Sequence, residues 1–495
     1  MTIINLVLII AVVAAVVTGL HYAVKHKMNS VFISFLQYFT GILFLFSGWV
    51  KAVDPLGTAF KLQDYFAEFY TTCEGTFLNF LAPIFPLLSQ YATSFAIFMI
   101  VFEIVLGVML ILGDRPKLTA WLFFLLVVFF TVLTGFTYLT GYVPSDQNFF
   151  NFSAWGPYKL SNMRVTDCGC FGDFIKLEPK ISFFKDLFLL IPAFYFLFNA
   201  RLMHQWLNQS RRNVILFSST ILLIFYCVYN FYWNEPHVDF RPFKNGTNVA
   251  QVKAKEIESN NSVQILEVVL KDKESGAIQT IPFTEYMSNF KKYEGKFEVI
   301  DQIKSLPPIP TTKIFDFEVK NYDEDDMTGT YLNNPDPHFM IVVYKPKFHS
   351  ELTYAVVQDT IYQIDTIPVV GIKDSFDIKT SIKDVAEKTV EKYIIHWDQD
   401  FLDVFTQEIQ PLQVAAAKDN IKFSVVTSGL DKEKAEDLKA KTGLNADFYT
   451  ADEKTLKTIM RSNPGIVLWK GGVLLHKWHY KKLPSYAEIK AEYLK

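Results

Sequence analysis

Asp167-Cys168-Gly169-Cys170-Phe171-Gly172-Asp173 holds two of only four cysteines in a chain of 495 residues. Gly169 and Gly172 suit tight turns, because glycine reaches positive φ without a Cβ clash. Outward from this stretch the composition becomes apolar on both sides, at 118–140 before it and 183–200 after it. Each run approaches the ~20 residues that cross a bilayer as a helix. Further runs at 3–20, 31–50, 91–112 and 213–233 bring the total to six. The run at 183–200 is the weakest of them, with Lys185 and Asp186 near its start and Pro192 inside it. No basic residue precedes 3–20 and no small-x-small cleavage site follows it before Lys25, so it reads as a retained helix rather than a signal peptide. Residues 76–90 are apolar but broken by Pro83 and Pro86, which suggests an interfacial or re-entrant piece.

The chain changes character after Glu235. Up to that point it carries 14 basic and 12 acidic residues; 34 and 39 follow, so the two parts have net charges of +2 and −5. The first part is membrane-like and the second has a soluble composition. Neither is basic enough for nucleic acid, which leaves the lipid bilayer and envelope proteins as expected partners.

Lysine and arginine in short loops mark the cytoplasmic side of a membrane protein. Lys25 and Lys27, then Arg115 and Lys117, then Arg201, Arg211 and Arg212 fall in alternate connections with a single acid, Asp114. Six helices then put the N-terminus, the loop at Cys73, the Cys168/Cys170 loop and everything after 235 on the outer side. That places three cysteines where disulfides form and persist.

Beyond the bundle, residues 236–310 read as a connector with short strands. Val263–Leu270 alternates as a strand does, 271–276 is a turn, and 277–283 a second strand. Leu306-Pro307-Pro308-Ile309-Pro310 is a stiff boundary. In 311–495, strands at Phe339–Tyr344, Ile421–Thr427, Gly465–Lys470 and Val473–Trp478 alternate with helices at 398–417, Asp431–Thr442 and Asp452–Met460, an α/β layer pattern. Gly471-Gly472 closes a tight hairpin. Residues 351–395 read as an insertion.

The candidate site residues all lie in the membrane half. Cys168 and Cys170 are the candidate catalytic thiols, and Cys73 is a third thiol on the same side that could resolve a disulfide or staple one statically. Zinc or copper(I) would need more soft ligands than this spacing supplies, so no metal is expected. Cys227 lies inside the sixth helix as a small apolar packer. Glu103, near the middle of an apolar helix, is costly there unless paired or protonated in the bundle interior. Lys51 is its expected partner. The pair is a candidate cofactor-binding feature or, equally, a structural contact.

Ser47-Gly48-Trp49-Val50-Lys51-Ala52-Val53-Asp54-Pro55 and Glu103-Ile104-Val105-Leu106-Gly107 resemble the DoxX family of bacterial membrane proteins. Asp167-Cys168-Gly169-Cys170-Phe171-Gly172 is similar to the related MauE branch, the methylamine utilisation family. The resemblance spans about 30–205, within the membrane-spanning part of the chain. It implies an inner-membrane bundle with an outward-facing cysteine motif and a role in maturing disulfide-containing periplasmic proteins beside a thioredoxin-like partner. For other DoxX members it implies sulfur-compound and quinone chemistry, so a quinone is the one cofactor class it brings.

The C-terminal part resembles a thioredoxin-like domain in its strand at 339–344, its Asn463-Pro464 turn and the hairpin after it. It departs from that pattern at Lys345-Pro346-Lys347-Phe348-His349-Ser350, where a Cys-x-x-Cys would stand. The expected architecture is therefore multidomain: a transmembrane bundle of about six helices over 1–235, a small β connector over 236–310, and a redox-inactive thioredoxin-like domain over 311–495. Two functions fit it. One is a thiol–disulfide or maturation factor working through Cys168 and Cys170, with the soluble domain docking clients. The other is a non-catalytic scaffold of an envelope complex with structural cysteines.

Overall fold

The structure is a computed structural model that describes residues 2–25, 28–165, 169–368 and 376–494. The chain divides into two compact units, 1–315 with 458–462 and 476–482, and 316–457 with 463–475 and 483–495.

The first unit is helical. Its longer helices are α1 Ile3–Lys25, α2 Val31–Val53, α3 Pro55–Cys73, α4 Ile84–Gln90, α5 Ala92–Leu112, α6 Pro116–Thr140, α7 Pro179–Asn199, α8 Gln209–Tyr232 and α9 Val249–Asn261. Six of them, α1, α2, α5, α6, α7 and α8, are long and apolar enough to cross a membrane, in agreement with the six runs in the sequence. The amphipathic α3 was not foreseen. Asp54 starts it, accepting a hydrogen bond from the Gly57 amide at 3.1 Å, with Pro55 in the first turn. The broken stretch at 76–90 becomes a 3-10 turn, Asn79–Leu81, followed by α4.

Small residues set the tightest helix contact. A Cβ on Gly41 in α2 would lie 3.0 Å from the Gly107 carbonyl oxygen in α5, and one on Gly107 would lie 2.9 Å from the Gly41 oxygen. One turn or more along, a Cβ on Gly48 would meet Ile104 Cγ1 at 2.4 Å. The two backbones approach as closely as glycine allows, the usual device where lipid offers no hydrophobic drive to associate. Around this seam Phe44, Phe123, Phe196, Leu110 and Leu189 make one buried cluster that also includes Phe171.

The three basic connections share one end of the bundle. Gly113 ends α5 at φ 64°, where a Cβ would run into the His204 carbonyl. The Trp206 amide donates to the Leu112 oxygen at 2.8 Å, and the Trp206 indole donates to His21 Nε2 at 3.0 Å. Buried Asp114 faces Arg212 at 3.2 Å. The helices therefore alternate in direction as the loop charges require. Lys27 lies outside the described residues.

After the bundle, the strands β1 Ile265–Asp272, β2 Ile278–Pro282 and β3 Phe297–Lys304 form an antiparallel sheet with β1 in the centre. Two strands were expected; β3 and the helix α9 were not. Asn248 caps α9 by accepting from the Gln251 amide at 2.9 Å.

The second unit is β-rich. Its strands are β4 Val319–Lys320, β5 His338–Val343, β6 Phe348–Pro368, β7 Phe376–Trp397, β8 Lys422–Thr427, β9 Asp447–Ala451, β10 Gly465–Lys470 and β11 Val473–His479, the last four residues of β11 belonging to the first unit. The sheet order is β11–β10–β5–β8–β9–β4, with β5, β8 and β9 parallel and β10 and β4 antiparallel to their neighbours. Every residue of β5 is buried, as its unbroken apolar run demands. Trp469 stacks on Phe317 at 5.7 Å in the core. The insertion at 351–395 forms, with its flanks, a separate two-stranded ribbon of β6 and β7.

Candidate functional site

In the first unit α2, α3, α5, α6 and α7 surround a cavity of about 70 Å³, closed on one side by the loop at Gly169–Phe171. A buried water needs ~10–15 Å³ of such space, so the cavity takes roughly five waters or one small ring. Its polar lining includes Ser47, Lys51, Lys61, Glu103, Cys170 and Asp186.

They come from α2, α3, α5, α7 and the cysteine loop. Lys51 Nζ lies 2.7 Å from Glu103 Oε2, with both residues buried, and also rests over the Phe130 ring at 4.9 Å. The expected pair thus forms. An ammonium and a carboxylate in an apolar bundle neutralise one another at hydrogen-bonding distance. A second pair, Lys185 with Asp186, sits where the first turns of α7 face the cavity, and Thr134 Oγ1 donates to Asp186 Oδ2 at 2.9 Å. These are the charges that interrupt the start of the run at 183–200. The charge inside an apolar run was the signal for a site.

Ser47 ties the cysteine loop to the cavity. Its Oγ donates to the Cys170 carbonyl oxygen at 2.9 Å. Ser47 and Lys51 are four residues apart on α2 and so share a face, which sets the Lys51–Glu103 pair about one helical turn beneath the Cys170 backbone. Gly169 and Gly172 take positive φ, 62° and 50°, as the loop's sequence requires. A Cβ at Gly169 would lie 3.4 Å from Lys61 Cγ on α3.

Cys170, Lys51 and Glu103 are therefore gathered in one place. Cys168 and Asp167 lie outside the described residues. Cys73 is a buried free thiol at the other end of α3, and burial pushes its pKa up. Twelve residues of helix separate it from Lys61, about 18 Å at 1.5 Å per residue, whereas a disulfide needs Cα atoms about 4.4–6.8 Å apart. The structure does not bring Cys73 beside Cys170. Cys227 is buried in α8, as read from its apolar surroundings. No cluster of metal-ligating side chains occurs among the described residues.

Above the loop lies an ionic layer that the sequence did not disclose. Arg461 pairs with Asp54 at 2.6 Å and with Asp173, the last residue of the loop stretch, at 3.5 Å. Burial alone would raise the Asp54 carboxyl; the Arg461 charge and hydrogen bonds outweigh it and hold the group below the usual carboxylate range. The Glu235 carboxylate accepts from the Arg461 and Ser462 amides at 2.9 and 2.7 Å. Arg241, fully buried, binds Glu235 and Asp239, each at 2.8 Å. Lys477 completes the layer on Asp239 at 2.5 Å, its pKa pushed down to about 8 by burial and by Arg241. Nothing local to Arg461 or Lys477 marks them, since their partners lie hundreds of residues away.

In the second unit the segment after β5, where no thiol stands, faces Asn463. The Asn463 side chain donates to the Lys345 carbonyl at 2.6 Å and accepts from its amide at 3.3 Å. The Asn463-Pro464 bond is cis.

No curated protein and no solved structure matches the chain. Residues 29–145, which carry α2 to α6 and end before the cysteine loop, match the family model of the methylamine utilisation protein MauE, and the membrane half of this multi-pass chain is in that respect MauE-like.

Proposed function

We propose that this is an inner-membrane thiol–disulfide or protein-maturation factor whose working group is the Cys168/Cys170 loop on the periplasmic side, with the domain after 311 a thioredoxin-like module that docks clients without redox chemistry of its own. The observation that carries the reading is Cys170 itself. It is the one cysteine among the described residues that lines the cavity, and Ser47 anchors its backbone one turn from a buried Lys–Glu pair. A Cys168–Cys170 bridge would be strained by its single-residue spacing and so readily attacked. A client thiolate attacks one sulfur and forms a mixed disulfide, releasing the other cysteine as thiolate. The client's second thiol then displaces the loop, which leaves a client disulfide and a reduced Cys168/Cys170 pair. The two electrons pass on to an acceptor, for which a quinone head group in the cavity is the class we propose. Lys51 and Glu103 would exchange the accompanying protons.

Cys170→Ser, and reciprocally Cys168→Ser, should stall a mixed disulfide on the remaining loop cysteine, seen as a reductant-sensitive adduct in intact membranes. Absence of an adduct in both variants, with full function in cells, makes the loop structural. The protein is then a scaffold, a reading favoured by the missing Cys-x-x-Cys at 345–350.

A further inference from the structure

Between α5 and α8 runs an apolar groove of about 500 Å³ that the thiol chemistry does not use. It is lined by Ile104 of α5 and by Leu222, Leu223, Phe225, Tyr226 and Tyr229 of α8. It shares no lining residue with the cavity at Lys51 and Glu103. Ser219, the lining residue nearest the middle of α8, donates its hydroxyl to the Leu216 carbonyl at 3.0 Å, so this end offers a ligand little but apolar surface. Polar groups gather instead at the C-terminal end of α8. Lys482 Nζ donates to Tyr229 Oη at 3.0 Å, and Lys481 Nζ stands 3.0 Å above the centre of the Tyr232 ring. Both lysines belong to the short turn Tyr480–Lys482, within the first unit. A hydroxyl and a ring face leave an ammonium with its charge and with N–H groups to spare. Neither lysine forms an ion pair with a carboxylate among the described residues. Glu235, whose charge reaches the neighbouring His479, is taken up by Arg241 and by the Arg461 and Ser462 amides.

We propose that the groove and the two lysines bind one anionic phospholipid, an acyl chain in the groove and the phosphate on Lys481 and Lys482. Depth argues for a lipid. From Tyr229 back to Ser219 α8 rises about 15 Å, half of a ~30 Å hydrocarbon core and so the depth of one leaflet. Position argues for it too. Both α5 and α8 are long and apolar enough to cross a membrane, and the α8 side chains Phe217, Leu222 and Phe225 are exposed. At the lysine end Tyr232 and Trp233 are partly exposed and pack edge to face at 4.7 Å, the residue types that collect at headgroup depth. Charge selects the class of lipid. Lysine meets a phosphate as a point charge, and each lysine near an anionic lipid surface is worth a gain of about five-fold in affinity. The two together favour an anionic over a neutral headgroup by about 25-fold. Tyr229 joins the parts, since its ring lines the groove and its hydroxyl holds Lys482.

The test uses the full-length chain, delipidated in detergent and titrated with phosphatidylglycerol or with phosphatidylcholine of the same acyl chains, the bound lipid being read by native mass spectrometry. The parent chain should prefer phosphatidylglycerol by about 25-fold. Lys481→Gln with Lys482→Gln should bring the two lipids to equal affinity. Lys159→Gln with Lys180→Gln removes two exposed lysines near the same end of the bundle and should leave the preference intact. Leu222→Trp, which fills the groove and keeps both lysines, should weaken binding of phosphatidylglycerol. Inorganic phosphate in excess should not displace the lipid, because it has no chain for the groove. A preference that survives in Lys481→Gln/Lys482→Gln, an equal loss in Lys159→Gln/Lys180→Gln, unchanged binding in Leu222→Trp, or displacement by inorganic phosphate overturns the proposal.

Discussion

Arg461 and Asp54 stand 407 residues apart in sequence and meet as a bidentate pair, Nε on Oδ1 at 2.9 Å and Nη2 on Oδ2 at 2.6 Å. Asp54 also caps α3, and Arg461 reaches on to Asp173 beside the cysteine loop. One guanidinium therefore holds the start of α3 and the end of the loop in register.

Removing one partner of a buried pair leaves an uncompensated charge, at a cost of about 3–5 kcal/mol. Arg461→Met should therefore lower the thermal midpoint in detergent substantially, and Arg461→Lys, with a point charge in place of the fork, by an intermediate amount. The Asp54 carboxyl is depressed in the folded state. Its stabilisation is thus present above the unfolded value of ~4 and lost as pH falls through the folded value. In Arg461→Met this part of the acid limb should disappear.

Lys51 and Glu103 should behave as one unit. Lys51→Met and Glu103→Leu should each destabilise the protein by about 3–5 kcal/mol. Lys51→Met combined with Glu103→Leu should cost clearly less than the two singles together, because no lone charge remains. A double-mutant cycle on thermal unfolding measures the difference. Additive losses would show that the pair does not couple.

Gly107 should tolerate no side chain. A Cβ there would lie 2.9 Å from the Gly41 oxygen and 3.1 Å from the Leu45 nitrogen, both backbone atoms that cannot swing aside. Gly107→Ala should cost about 1–3 kcal/mol through overpacking, and Gly107→Leu more, read as loss of folded protein in membranes. Gly19 has open space around it, and Gly19→Ala should be close to neutral.

His479 gives a second acid-side signature. Burial pushes its pKa down to about 4, and the Lys481 amide donates to its Nδ1 at 3.2 Å, which suits the neutral ring. Between about 4 and 6.5 the unfolded chain binds a proton that the folded chain does not, so stability falls as pH falls through this window, by about 3 kcal/mol in all. His479→Gln should flatten the thermal midpoint between pH 6.5 and 4. An unchanged slope would place the titration elsewhere.

Periodicity and length determined the six membrane helices. A span of the required length and apolarity leaves a backbone in lipid no other way to satisfy its hydrogen bonds. Loop charge determined their alternation, and the Lys51–Glu103 pair could be anticipated because a carboxylate in an apolar helix needs a partner. In the second unit the buried strand, read at 339–344 and found at His338–Val343, and the glycine hairpin were legible for the same local reasons. Three things became visible only in the tertiary structure. α3 has a mixed composition, and its apolar face gains meaning only when Leu62, Tyr65 and Phe66 find the bundle. The Lys185–Asp186 pair turned a flaw in a span into part of a cavity. Arg461 and Lys477 are ordinary basic residues in a soluble composition until the fold sets them on Asp54, Asp173 and Asp239. Local sequence carries backbone preference and hydrophobic period, but a charge pair spanning hundreds of residues leaves no periodic trace, so only the folded chain can assemble it.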